Sequence, residues 1–221
     1  MHTHWLHRNG SDSVILFFCG WGTDYHPLTD IPHGGTDVLC LYAYHTGCAP
    51  DWDALLAPYS ERHIIAWSMG VLQAELALAQ RAAEFGSALA VNGSLRPVDD
   101  RFGIPCSAYQ LTIDSFSDSA LRKFIQRMCK DRQSIGRYNE RLPQRELAEQ
   151  KSELIFHQQQ TERLGKDTSA LFTKALVGKA DLIFPPDNLR AFWQGKVTVT
   201  ESEMPHFVFY HFPTWADMLA I

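Results

Sequence analysis

The junction between an apolar segment and a helical one at residues 63 to 80 (HIIAWSMGVLQAELALAQ) restricts the possible folds more than any other part of the sequence. Ile64 to Ala66 has the pattern of a buried strand, and the residues from Val71 onward have the pattern of a helix. Only Trp67 to Gly70 separates the two, and a turn this short places Ser68 at its tip. The sequence therefore predicts a strand, a tight turn and a helix packed closely together.

Similar apolar runs recur along the chain and alternate with helical or loop segments. A run that is apolar throughout is typical of a strand covered on both faces, and the alternation predicts an α/β protein with a largely parallel sheet. Residues 24 to 36 and 44 to 54 have weak helical periodicity, so we expect loops where such sheets normally carry helices. The predicted strands are Val14 to Cys19, Asp37 to Tyr42, His63 to Ala66, Ser87 to Val91, Thr173 to Val177 and Val197 to Thr200, with Trp5 to Arg8 as an added edge strand.

Residues 115 to 165 are helical by propensity and interrupt the sequence of strands. Open α/β sheets bind ligands at the carboxyl ends of their strands, and an insertion at this point would lie over those ends. We interpret it as a lid of about residues 113 to 169 in a single domain of residues 1 to 221. The core of that domain is then about residues 1 to 112 and 170 to 221. The alternative is a plain pair of covering helices.

A serine on a tight turn between a strand and a helix is typical of the nucleophile elbow of α/β-hydrolases. The usual pattern is G-x-S-x-G; here Ala66 replaces the first glycine and Gly70 keeps the second. The helix that follows directs its first amides and the positive end of its dipole towards Ser68. The alternative is that Ser68 is only the N-cap of a buried helix.

A catalytic serine needs a base and an orienting acid, which in this fold follow in the order acid, then histidine. Asp181 comes after the predicted strand Thr173 to Val177, and His206 comes after the predicted strand Val197 to Thr200. The order and the positions at strand ends predict a Ser68–Asp181–His206 triad.

Other residues compete for these roles. Asp99 or Asp100 follows the fourth predicted strand, where some hydrolases keep their acid. His211 lies in an aromatic stretch that favours packing over catalysis, and His63 begins a strand beside the elbow, where we expect it to pair locally.

A serine hydrolase also needs amides that bind the developing oxyanion. One donor is the amide of the residue after the nucleophile, here Met69, and the other comes from a loop after an early strand. Gly20-Trp21-Gly22 is such a loop, so the Trp21 amide is the predicted second donor. The alternative is an ordinary strand-to-helix turn.

The composition argues against several classes of protein. A net charge of −5 argues against general nucleic-acid binding, and no apolar run reaches the roughly 18 residues of a membrane span. The five cysteines form no paired CxxC motif, so no zinc site is predicted. We expect a reduced, cytoplasmic protein that needs no metal or cofactor.

Four segments together resemble a known family. They are FFCGWGTD at 17 to 24, HIIAWSMGV at 63 to 71, GKADLIFPPDN at 178 to 188 and PHFVFYHFPTW at 205 to 215. They resemble the pimeloyl-[acyl-carrier protein] methyl ester esterases of the BioG type, in which the Trp-Ser elbow also lacks its first glycine. The resemblance implies an α/β-hydrolase monomer that cleaves this methyl ester in biotin biosynthesis and releases methanol. It implies the same triad, with Trp21 and Met69 at the oxyanion site.

Similarity to the related BioH-type esterases implies that the substrate contacts Trp21 and a run of lid residues. Residues 120 to 145 also carry eight basic residues against two acidic ones. Acyl-carrier proteins are strongly acidic, so a basic lid would attract such a partner. The alternative is an ordinary amphipathic helix with a solvated face. The lid residues with predicted substrate contacts are Phe124, Ile125, Gln126, Arg127 and Met128, and those with predicted carrier contacts are Arg122, Arg127, Arg137 and Arg141.

Two other functions stay open at this point. One is a different serine hydrolase, such as a thioesterase or a short-chain carboxylesterase, which would not need a basic lid. The other is a binding module with a hydrolase-like fold and no catalysis, which the complete set of triad candidates argues against.

Overall fold

A computed structural model describes residues 1–221. Seven strands form one sheet in the order β1-β3-β2-β4-β5-β6-β7, in which only β1 is antiparallel to its neighbour. The strands are β1 His2–His7, β2 Ser13–Phe18, β3 Asp37–Tyr42, β4 Glu61–Trp67, β5 Ser87–Val91, β6 Lys174–Gly178 and β7 Thr198–Ser202.

Side chains of β2 alternate between two apolar cores, one on each face of the sheet. On one face Phe17 packs against Phe209 and Trp215, with ring centroids 4.9 and 4.8 Å away. On the other face Phe18 packs towards Trp52 at 6.5 Å. Because both faces are covered, β2 is apolar at nearly every position, as the sequence predicted.

The seven helices divide into two groups. The sheet is covered by α1 Trp52–Leu56, α2 Gly70–Leu78 and α7 Pro186–Trp193, and four further helices fill the chain between β5 and β6. These four are α3 Cys106–Asp114, α4 Asp118–Cys129, α5 Arg132–Asn139 and α6 Leu147–Leu164. The first of them begins before the lid boundary that we predicted at residue 113.

The predicted fold class is confirmed, and each predicted strand is present within a few residues of its expected bounds. The early links are mostly loop, with one 3₁₀ turn at His26–Leu28 and the short helix α1. None of the helices combines the length and the hydrophobicity that crossing a membrane requires.

Candidate active site

Ser68 stands on the predicted tight turn, between the end of β4 at Trp67 and the start of α2 at Gly70. A Cβ atom on Gly70 would lie 2.4 Å from the Cys19 carbonyl oxygen, so only glycine lets the helix approach β2 this closely. Ala66, which replaces the usual first glycine, is fully buried within β4. The N-cap position of α2 is Met69, with no side-chain cap, so Ser68 does not cap the helix.

Ser68 has a φ of 58°, in the left-handed region that favours glycine. Such strain at a functional residue persists because the surrounding contacts fix the backbone. We expect Ser68→Gly to be more stable than Ser68→Ala by about 1 kcal/mol, since neither variant has the hydroxyl and glycine adopts this φ without the steric cost that a Cβ atom adds. Calorimetry should give Ser68→Gly a Tm about 2–4 °C higher. Equal Tm values for the two variants would contradict a strained elbow.

The structure brings the three predicted triad residues together, although they are far apart in sequence. His206 Nε2 lies 3.0 Å from Ser68 Oγ, and His206 Nδ1 lies 2.7 Å from Asp181 Oδ2. All three residues are at most 5% exposed. A carboxylate only accepts hydrogen bonds, so His206 Nδ1 carries the proton and Nε2 is left to accept from the Ser68 hydroxyl.

Asp181 is fixed by its own loop after β6. Its second oxygen, Oδ1, accepts the backbone amides of Ile183 and Phe184 at 2.7 and 2.9 Å. The Phe184 ring stacks on the His206 ring with an interplanar angle of 7°. The loop therefore orients both the carboxylate and the imidazole.

Two residues that sequence reasoning missed hold the backbone of His206. The His206 carbonyl accepts Trp67 Nε1 at 2.9 Å and Asn92 Nδ2 at 3.0 Å. Asn92 is fully buried, has a φ of 45°, and accepts the Gly178 amide through its Oδ1 atom. It thus ties the end of β6 to the histidine loop. The only signal in the sequence was an Asn-Gly pair after a strand, which also indicates an ordinary turn.

The competing residues lie in other contacts. Asp99 accepts the amides of Arg101 and Phe102, and Asp100 accepts the amide of Cys106, so both organise their own loop. His211 Nε2 lies 4.0 Å from Asp131 Oδ2. His63 is half-buried in β4, and burial lowers its pKa.

The predicted oxyanion donors flank the nucleophile. Neither the Trp21 amide nor the Met69 amide has an acceptor within the protein, and both residues line a cavity that contains Ser68 and His206. A Cβ atom on Gly20 would lie 2.8 Å from the Trp67 ring, so glycine is needed for this loop to reach the elbow. The two amides are free to bind an oxyanion.

The catalytic cavity has a volume of about 320 Å³ and is mostly apolar. Its walls come from the loops that carry Ser68, Asp181 and His206, from α3, and from α4 and α6 of the predicted lid. Sequence reasoning missed the contribution of α3 because the predicted lid began only at residue 113, near the end of this helix. The lining residues outside the triad and its amides include Ile104, Ala108, Tyr109, Thr112, Phe124, Arg127, Leu154, Leu182 and Ile183.

The predicted substrate residues of α4 divide between two cavities. Phe124 and Arg127 line the catalytic cavity, whereas Ile125, Gln126 and Met128 line a neighbouring cavity of about 410 Å³. Five consecutive helical residues cover more than one full turn, so they cannot all face one cavity. Phe124 and Trp21 lie in the wall between the cavities, with ring centroids 5.0 Å apart.

The predicted carrier-binding arginines also separate into two groups. On α4, Arg122 pairs with Asp118 and is exposed, and Arg127 donates to the Leu182 carbonyl at 2.6 Å. Arg137 and Arg141, by contrast, both pair with Asp30, at 2.9 and 3.2 Å.

Arg145 contributes to the basic excess, but its side chain is only 4% exposed and pairs with Glu149 and Glu153. The free positive charge of the predicted lid is therefore concentrated on and beside α4. It is smaller than the count of basic residues indicated.

Comparison with known proteins supplies the family. The sequence profile described as pimeloyl-ACP methyl esterase BioG matches residues 1–218. The crystal structure of BioG from Haemophilus influenzae superposes with a TM-score of 0.88 at 31% identity, covering 99% of this chain and 100% of that chain. The enol-lactonase of Burkholderia xenovorans covers 98% of this chain and 92% of its own at 17% identity, with a TM-score of 0.64. At that identity the likeness concerns the fold alone, which is that of α/β-hydrolases.

A relative in Bacteroides fragilis is named malonyl-[acyl-carrier protein] O-methyltransferase and is 34% identical over 182 residues. The match covers 82% of this chain, which spans only about a third (36%) of that protein's length. A second relative, from Haemophilus influenzae, is 34% identical over 214 residues and 94% of each chain. With a profile match over nearly all its residues, the chain belongs to the BioG family of pimeloyl-ACP methyl esterases.

Proposed function

We propose that this protein hydrolyses the methyl ester of pimeloyl-[acyl-carrier protein] methyl ester in biotin biosynthesis, by a Ser-His-Asp mechanism. The products are pimeloyl-carrier protein and methanol. The observation that carries the proposal is the hydrogen-bonded series Ser68–His206–Asp181 in a mostly apolar cavity beside two free amides.

In the proposed mechanism, His206 Nε2 takes the proton of Ser68 while Oγ attacks the ester carbonyl. The charge that develops on the carbonyl oxygen is bound by the amides of Trp21 and Met69, each worth roughly two to three powers of ten in turnover. His206 then protonates the departing methoxide. The same histidine activates a water molecule that releases the acyl group from Ser68.

We propose that the segment of about residues 113 to 169 acts as a lid, with α3 as part of the cavity wall. Phe124 and Leu154, from two helices of this segment, line the same cavity as the three triad residues. Their apolar side chains suit the methylene chain of a dicarboxylic monoester. In the same proposal Ile125, Gln126 and Met128 contact the substrate only if it extends into the neighbouring cavity.

The function is tested by incubating the protein with pimeloyl-carrier protein methyl ester and measuring the mass of the carrier. We expect a loss of about 14 Da, for exchange of a methyl group for a proton, together with one equivalent of methanol. Release of the free carrier thiol would instead indicate a thioesterase. In cells, the gene should restore growth without biotin to a strain that lacks its own esterase. Absence of growth together with absence of methanol release would contradict the proposal.

We further propose that the basic residues of α4 bind the acidic carrier protein. Lys123 and Lys130 are exposed beside the two arginines of this helix and take part in no ion pair. Arg137 and Arg141 contribute less, because Asp30 partly balances their charge.

Reversal of charge at Arg122 alone, and separately at Lys123, should each raise KM for the carrier-linked ester several-fold, since steering between surface charges is lost. Both residues are exposed, and neither lines the catalytic cavity. Cleavage of p-nitrophenyl butyrate reports on the cavity alone and should change much less. Salt weakens interactions between exposed charges, so the difference from the wild type should shrink at high ionic strength.

The matched control is Arg163→Glu, an equal change of charge on an exposed residue at the end of α6, outside residues 120 to 145. Its KM for the carrier-linked ester should match that of the wild type. If both single α4 variants behaved like this control, α4 would not be the docking surface.

A further inference from the structure

Helix α6 holds the loop that supplies the Trp21 amide. Trp21 Nε1 donates to the Gln150 carbonyl at 2.8 Å, and the Gly22 amide donates to Glu153 Oε2 at 3.1 Å. Gly22 has a φ of 70°, and a Cβ atom there would lie 3.0 Å from Gln150 Oε1. The loop therefore packs against α6 through both backbone and side-chain contacts.

Glu153 is fully buried, and its partners are donors from three separate segments. Besides the Gly22 amide, it accepts the Tyr44 amide through Oε1 at 3.3 Å and Arg145 Nη1 through Oε2 at 2.8 Å. Donors face both oxygens, so only a carboxylate satisfies all of them. A buried donor that loses its acceptor is costly, which is why this residue determines where the loop lies.

The charge of Glu153 is balanced by a single neighbour. The Arg145 side chain is 4% exposed, pairs with Glu153, and also donates to the Thr23 carbonyl of the same loop. His157 adds no positive charge near Glu153, because burial, followed by Arg145 and His45, lowers its pKa to about 3. Without Arg145, a buried negative charge would lie one residue from an amide that must bind an oxyanion.

We propose that Glu153 is a positioning residue that sets the Trp21 amide in place for the oxyanion, and that Arg145 neutralises it there. This inference rests on the proposed esterase mechanism. Fixing the Gly22 amide fixes the orientation of the peptide that joins Trp21 to Gly22. The Trp21 amide, which comes just before this peptide, is then already oriented when substrate binds. Such preorganisation allows a hydrogen-bond donor to stabilise the charge that develops in a transition state.

The test is Glu153→Gln, which keeps the shape of the side chain but places an NH₂ group where an acceptor oxygen stood. We expect kcat for ester hydrolysis to fall roughly tenfold to hundredfold, as a displacement of about 1 Å can produce. KM should stay within about twofold, because the cavity walls that bind the acyl chain are unchanged. The matched control is Glu149→Gln, which removes the other partner of Arg145 but contacts no amide of the loop. It should keep the wild-type kcat.

A second measurement separates positioning from loss of structure. A trifluoromethyl ketone forms a hemiketal with the catalytic serine, and its oxygen then occupies the oxyanion site. Its Ki should weaken in Glu153→Gln by the same factor as kcat/KM. The corresponding methyl ketone binds without forming the hemiketal, and its Ki should not change. Parallel weakening of both inhibitors would overturn the inference.

If Glu153→Gln does not fold, Glu153→Gln with Arg145→Met removes both charges and leaves none buried alone. This double variant still lacks the carboxylate that accepts the Gly22 amide, so its kcat should be lowered as in Glu153→Gln. A wild-type kcat would also overturn the inference. The outcome is distinct from failure of the proposed function. An inactive wild type contradicts the esterase itself, whereas an active wild type with a normal Glu153→Gln contradicts only the role of Glu153.

Discussion

Ser68→Ala should lower kcat for ester hydrolysis by roughly four to six orders of magnitude, with little effect on the fold. The hydroxyl is the group within hydrogen-bonding distance of His206 Nε2, and alanine leaves nothing to form an acyl-enzyme. The remaining activity would come from the oxyanion amides and from substrate binding alone. Active-site labelling with a fluorophosphonate, followed by mass spectrometry of the labelled peptide, gives an independent readout.

The matched control for this variant is Ser94→Ala. Ser94 is fully buried, its hydroxyl donates to the Phe102 carbonyl, and it lies outside the catalytic cavity. This control should react with the fluorophosphonate and hydrolyse the ester as the wild type does. Labelling that persists in Ser68→Ala would place the nucleophile elsewhere, and a wild type that never labels would favour a non-catalytic binding module.

The second large effect is expected for Asp181→Asn, with a fall in kcat of about 10⁴-fold. The Asn side chain should keep its oxygen on the amides of Ile183 and Phe184, which donate to Oδ1 of the present aspartate. Its NH₂ group then faces His206 Nδ1 and donates to it. The imidazole is forced into the tautomer with the proton on Nε2, which cannot accept the proton of Ser68.

Because the change is isosteric, Asp181→Asn should have a Tm close to that of the wild type. The loss of activity should appear in kcat. The matched control is Asp187→Asn, an exposed residue a few positions later that pairs with Arg190. It should retain full activity. A loss of less than tenfold in Asp181→Asn would mean that another carboxylate orients the histidine.

The sheet and the three triad candidates could be predicted because their signals are local. Continuous apolar runs identify buried strands, and each triad residue lies in a short turn directly after a strand. Ala66 shows the limit of matching to a bare pattern, since the elbow accommodates one methyl group in place of the usual glycine. The order of the residues along the chain was more informative than any single motif.

The supporting residues could not be predicted, because their roles depend on contacts between distant segments. Asn92 lies 114 positions from the His206 carbonyl that it holds, and Glu153 lies 131 positions from the Gly22 amide. Counting charges also failed for Arg145, since a sequence does not show that a cation is buried between two carboxylates. For α4, the division of residues between two cavities depends on how the helix is rotated.

The packing of Phe17 against Phe209 and Trp215 has a consequence for how the protein is made in the cell. On the same side, the Tyr210 hydroxyl donates to the Pro27 carbonyl, 183 positions earlier. At ribosomal rates of about 5–20 residues per second, the first strands wait roughly 10 to 40 seconds for these late aromatic rings. During that interval an apolar strand is uncovered on one side, so the yield of active enzyme should depend on chaperones that shield nascent chains.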